Sequence, residues 1–167
     1  LLDREAIVKR ESRGPIESVD WPGLLRRWVQ DYAFTKSNRT ETFLDPRGTT
    51  ALLDKLRDLD SLYVVTGSLA AAQQATVAPA RLTQVYVMSL SDAAAQLDLR
   101  PAESGANVIL AEPFDDVVFD RTTNRDEVSY AAASQVAADL LTSPGRGPAE
   151  GDALIAWMEQ NEDVWRS

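Results

Sequence analysis

The chain has 167 residues, enough for one domain with its own core, and 44% hydrophobic against 26% charged residues marks it as globular rather than disordered. It contains neither cysteine nor histidine, which removes disulfides, thiol nucleophiles, Ser-His-Asp chemistry and nearly all zinc catalysis. The net charge of −9 is uneven: residues 1–40 carry eight Lys/Arg and six Asp/Glu, a surplus of +2, and the rest carry nine and twenty, a deficit of −11. An acidic body repels phosphate backbones, so nucleic acid is expected to meet only the N-terminal end. No run approaches the roughly 18 apolar residues of a membrane helix and no signal peptide opens the chain, so a soluble, cytoplasmic protein is expected.

Two short extended segments, Ala6–Arg10 and Pro15–Val19, flank Glu11-Ser-Arg-Gly14 and read as a hairpin with a basic tip. One hairpin cannot bury a core by itself, so residues 1–20 read as the end of a domain whose other parts lie elsewhere, and the chain as the C-terminal portion of something longer. Trp21–Tyr32 comes next as a helix, with Asp20 as N-cap, Pro22 in the first turn, and Leu24, Leu25, Trp28 and Tyr32 near one face. Thr40–Leu44 is expected as a strand, Asp45-Pro-Arg-Gly48 as a turn, and Thr49–Leu59 as a helix through Leu52, Leu53, Leu56 and Leu59.

The run Leu62-Tyr-Val-Val-Thr-Gly-Ser-Leu-Ala-Ala71 predicts strand, tight turn, helix. Gly67 permits the sharp turn and Ser68 is the expected cap. Val85–Met88 is a second strand, with a short helix from Ser91. Further strands are expected at Asn107–Leu110, Val117–Phe119 and Val128–Tyr130, and helices at Ser134–Leu141 and Pro148–Val164. Strands alternating with helices predict an α/β (α+β) fold: a mixed β-sheet covered by helices over residues 21–167, preceded by the hairpin of residues 1–20.

A Gly-Ser pair closing a strand is half of a nucleotidyltransferase signature; the other half is a pair of carboxylates on the next strand, which would hold the metals. That strand, Gln84-Val-Tyr-Val-Met-Ser89, has no acid. Thr66, Gly67 and Ser68 are therefore read first as a packing turn and second as a ligand site. Glu112, Asp115, Asp116 and Asp120 form the densest acidic cluster, but their spacing is not that of a calcium loop and no lysine occurs after Lys55. They read as a solvated loop, with metal-dependent nucleotidyltransferase-like or nuclease-like chemistry as the alternative. Asp139, Arg146 and Glu150 are placed to form an ion-pair network joining two consecutive helices, because arginine offers a rigid fork to carboxylates. Lys9, Arg10 and Arg13 are the candidate nucleic-acid contacts, of the phosphate-positioning kind.

The ordered set Pro22-Gly-Leu-Leu-Arg-Arg-Trp28 to Tyr32, Val65-Thr-Gly-Ser-Leu-Ala-Ala71, Val85-Tyr-Val87, Gly105-Ala-Asn-Val108, and Ala138-Asp-Leu-Leu141 with Arg146 and Glu150 resembles the AbiEi-type antitoxins. These are transcriptional regulators of type IV abortive-infection toxin–antitoxin pairs. The resemblance implies a winged helix binding the operon's own promoter DNA, with residues 1–20 as the wing hairpin, followed by an α/β antitoxin domain. It implies no catalytic residue, metal or cofactor, and a nucleotidyltransferase-type toxin as functional counterpart without a stable complex. It leaves homo-oligomerisation open. A stand-alone regulator sensing a small ligand at the Gly67-Ser68 turn is a third reading.

Overall fold

The computed structural model describes residues 7–10, 16–75 and 79–166. At the N-terminal end, β1 (Val8–Arg10) and β2 (Ile16–Val19) pair antiparallel, with an irregular register between Lys9 and Arg10. The Asp20 amide, directly after β2, donates to the Ile7 carbonyl at 2.8 Å and so fixes the pair at its open end.

Helix α1 (Trp21–Trp28) starts where the sequence places it: the Asp20 carboxylate accepts from the Gly23 amide at 3.0 Å and Pro22 occupies the first turn. It ends four residues before Tyr32, because the chain closes into a turn through Asp31 and Tyr32 amides bonded to the Trp28 carbonyl. A single turn, α2 (Phe34–Ser37), leads into β3 (Arg39–Leu44). Gly48, at φ 80°, opens α3 (Gly48–Arg57), whose Leu52 and Leu56 are fully buried. Burying each such leucine is worth roughly 1.5–3 kcal/mol.

The chain continues as β4 (Tyr63–Thr66), α4 (Gly67–Ala71), β5 (Thr83–Val87), α5 (Leu90–Gln96), β6 (Arg100–Pro101) and β7 (Val108–Glu112). A 3₁₀ turn at Asp116–Phe119 comes next, then β8 (Thr123–Arg125), β9 (Val128–Tyr130), α6 (Ala133–Leu141), α7 (Gly147–Gln160) and α8 (Glu162–Trp165). The second sheet has seven strands in the order β6-β3-β7-β5-β4-β9-β8. Its β5–β7 and β4–β9 pairs are parallel and its β3–β6, β3–β7, β4–β5 and β8–β9 pairs antiparallel, which is the mixed α/β sheet expected from the sequence.

The strands of β4 and β5 are buried throughout, as a central pair covered on both faces must be. Register puts Val64 opposite Tyr86 and Thr66 opposite Gln84, so those four side chains share one face. On that face lie α6 and α7, which pack on each other and on α4. Val65, Val85 and Val87 point the other way and join the apolar core with Leu52, Leu56 and Leu97.

Two local expectations change, and one strand is added. Val117–Phe119 is not a strand: the Asp115 carboxylate accepts from the Val117 amide at 2.9 Å and nucleates the 3₁₀ turn instead. The final helix is interrupted at Asn161, whose φ of −135° is not helical, so α7 and α8 are separate. Thr123–Arg125, which the sequence reading did not assign, is an edge strand that gives Val128–Tyr130 its antiparallel partner.

Candidate functional site

The turn after β4 and the two helices α6 and α7 meet at one place. Gly67 has φ 67°, a backbone conformation that a Cβ disfavours, and a Cβ built there would lie 2.1 Å from Oε1 of Gln84. The glycine thus lets the turn close directly over β5. Ser68 does not cap α4, as the sequence suggested; Thr66 holds the cap position and the Ser68 hydroxyl donates instead to Glu150 on α7. Glu150 is buried and also faces Arg146 at 3.7 Å, so the expected Arg146–Glu150 pair exists.

Asp139 is not part of that pair. Its side chain is fully buried among polar groups without a formal charge. Oδ2 accepts from the Thr66 hydroxyl at 2.5 Å, and Oδ1 accepts from Tyr32 at 2.5 Å, Tyr86 at 2.9 Å and the Gln135 amide at 2.9 Å. The expected three-residue ion network is corrected to two separate clusters bridged by the turn: Thr66 serves Asp139 and Ser68 serves Glu150. Helical geometry explains the split, since Gln135 and Asp139 are one turn apart on α6 and face β5, whereas Arg146, the N-cap of α7, faces Glu150 one turn into that helix.

Each phenol has one proton. With both given to Asp139, the 2.9 Å approach of the Tyr32 and Tyr86 oxygens holds no proton of its own. The Asn38 amide, 3.3 Å from the Tyr32 oxygen, and the Gln135 amide, 3.3 and 3.2 Å from the two phenol oxygens, supply donors to that pair. Burial pushes the Asp139 carboxyl up to about 6, against the four donors, Thr66 first, that favour its ionised form. Burial, and after it the charge of Asp139, pushes both phenols well above their ordinary value, so they remain donors at neutral pH. A carboxylate that is 0% exposed cannot reach a substrate; this arrangement clamps α6 onto the sheet and onto the segment after α1.

The acidic cluster is dispersed into structural tasks. Glu112 accepts from the Leu90 amide at 2.8 Å and from Arg39 at 3.1 Å, and Asp115 caps the 3₁₀ turn. Among the described residues no group of three or more Asp or Glu is placed to hold a metal ion. Of the candidate nucleic-acid contacts, the backbones of Lys9 and Arg10 lie in β1, and Arg13 lies outside the described residues. Among the described residues no helix is long and apolar enough to cross a membrane.

The Asp139 cluster went unread in the sequence, although a signal was present. Gln135 and Asp139 are polar residues at helical spacing in an otherwise apolar helix, and Gln84 and Tyr86 alternate on one strand face. Neither curated proteins nor solved structures gave a match. One family model, AbiEi_2, described as transcriptional regulator, AbiEi antitoxin, type IV TA system, matches residues 19–155. That span covers α1 through most of α7, including both polar clusters and the turn between them, and the chain belongs to the AbiEi antitoxin family of type IV toxin–antitoxin transcriptional regulators.

Proposed function

We propose that this protein is a non-catalytic, cytoplasmic regulator and antitoxin that binds its own promoter through an N-terminal winged helix and opposes a nucleotidyltransferase-type toxin. The observation that carries this reading is the family match over residues 19–155. The antiparallel β1–β2 pair supports it as the wing of a domain at residues 1–20, because it lies at the N-terminal edge of the matched span and adds no strand to the seven-stranded sheet. Lys9, Arg10 and Arg13 are the residues of that hairpin proposed to meet phosphates beside a groove-bound helix. The deficit of charge in the rest of the chain favours confining DNA to that end.

The absence of catalysis is favoured by the way the carboxylates are used. Asp139 is sealed in hydrogen bonds, Glu112 and Asp115 hold backbone amides, and the strand after the Gly-Ser turn offers Gln84 and Tyr86 in place of acids. Co-expression tests the antitoxin role. In cells arrested by a nucleotidyltransferase-type toxin of a type IV pair, the protein supplied in trans restores growth, and pull-down recovers no stable complex. Growth arrest unrelieved by the protein, with the protein present at normal level, contradicts the reading.

A further inference from the structure

Leu62, Met88 and Phe114 are large apolar side chains that stay 54%, 51% and 59% exposed. The sheet brings them to one end. Leu62 directly precedes Tyr63 and Met88 directly follows Val87, and Tyr63 and Val87 are register partners, so the two leave the β4–β5 pair side by side. Strand β7 runs parallel to β5, and their last pair is Tyr86 with Ala111. Phe114 therefore emerges at the same end, where its ring meets that of Tyr32 at 6.1 Å. The strand order β7-β5-β4 makes these three a row, at about 4.8 Å per strand. Val117, 54% exposed, follows in the 3₁₀ turn, which packs against β4. Single exposed apolar residues are ordinary, but a row of them marks an interaction surface.

The surroundings of the row are acidic. The segments that carry it, residues 60–62, 88–92 and 112–120, hold Asp60, Asp92, Glu112, Asp115, Asp116 and Asp120 and no Lys or Arg. Among the described residues only Glu112 of these forms an ion pair, with Arg39 at 3.1 Å. The flanking bases are engaged elsewhere: Arg57 with Asp54 and the Asp126 carbonyl, and Arg121 in the wall of a cavity with Ser134 and Trp165.

We propose that this end of the sheet docks a basic amphipathic helix of another protein. Successive turns of a helix lie about 5.4 Å apart, close to the strand spacing, so apolar side chains at i, i+4 and i+7 can follow the row. Lys and Arg on the flanks of that helix then meet the unpaired carboxylates. A second copy of this chain is the wrong occupant, because it would set one acidic rim against another. The surface uses none of residues 1–20, so it does not rest on the DNA-binding reading.

Fluorescence anisotropy of a labelled leucine–lysine helix of about 14 residues, titrated with the intact protein, tests the surface. A peptide of the same composition, with its leucines scattered around the helix, is the control for charge alone. The amphipathic peptide is expected to bind saturably at one per chain, and the scattered one about tenfold more weakly. Leu62→Ser with Met88→Ser, which leaves the net charge and the unfolding midpoint unchanged, weakens binding about tenfold, and Phe114→Ser does the same. Asp60→Asn, Asp92→Asn and Asp116→Asn together weaken it about fivefold and flatten its salt dependence. Equal binding of the two peptides overturns the proposal, as does wild-type affinity in the apolar variants. Self-association of the wild type that Leu62→Ser with Met88→Ser abolishes overturns it too, in favour of a second copy as occupant.

Discussion

The hydroxyl of Thr66 stands 2.5 Å from Oδ2 of Asp139, a residue 73 positions later in the chain. Two residues after Thr66, Ser68 reaches Glu150 on the next helix. The end of β4 and the start of α4 are thereby tied to α6 and α7, the two helices of the face they lie on, so the Thr66–Ser68 turn staples the sheet to both.

Asp139 gives the protein a pH signature. Its carboxyl is raised in the folded state, so the folded state holds that proton more tightly than the unfolded chain. The contribution is fully present below about pH 4, the unfolded value, and is lost as pH rises through about 6. Urea unfolding at pH 4, 5, 6 and 7 is expected to show this decline in wild type. Asp139→Asn, which keeps the shape and one acceptor, flattens it. Asp139→Ala strands Thr66, Tyr32, Tyr86 and Gln135, and is expected to cost at least about 3 kcal/mol at every pH. Parallel pH profiles for wild type and Asp139→Asn would contradict this account.

Gly67→Ala combines a left-handed backbone with a collision. At φ 67° a side chain costs about 1–2 kcal/mol, and the new Cβ would also displace Gln84. A loss of about 2–3 kcal/mol is expected in equilibrium unfolding. Gly48→Ala serves as the control, since φ is 80° but nothing lies within 4 Å, and its loss should be confined to the backbone part.

On the opposite face the half-buried Lys55 pairs with the buried Asp45. Lys55 Nζ is 2.7 Å from Asp45 and 2.6 Å from the Leu97 carbonyl, while the Asp45 side chain is 0% exposed. Burial pushes the Asp45 carboxyl up, but the Lys55 hydrogen bond and the Arg47 amide outweigh it and hold the group below its ordinary value. Stability from Asp45 is therefore present above about pH 4 and lost as pH falls through its lowered value. Lys55→Met is expected to cost about 3 kcal/mol at pH 7 and clearly less near pH 3, measured by chemical denaturation.

Much of the fold was legible because its signals are periodic. The β-branched and aromatic runs before Gly67 and at Val85–Met88, the leucines of α3 and the Asp20-Trp-Pro22 start of α1 each arise from one residue pattern and one physical rule. The seven-strand order was not legible, since register and crossover are decided by packing between distant segments. The same limit applied to the site. Arg146 and Glu150 sit four apart at the start of α7 and face each other, whereas the partners of Asp139 come from Tyr32, Thr66 and Tyr86, which only tertiary structure brings together. Ser68 looked like a cap because a serine one step into a helix usually serves its own backbone; the buried Glu150 offered a stronger, charge-assisted partner.

The central claim is that this protein acts by holding promoter DNA at its basic N-terminal end. The decisive measurement is the salt dependence of binding between the full-length protein and DNA from upstream of its own gene. Replacing Lys9, Arg10 and Arg13 with Ala is expected to weaken promoter and unrelated DNA alike, and to reduce the slope of log K against log salt by about 2–3. An unchanged slope and affinity in the triple variant, or wild-type binding that ignores salt, would contradict it.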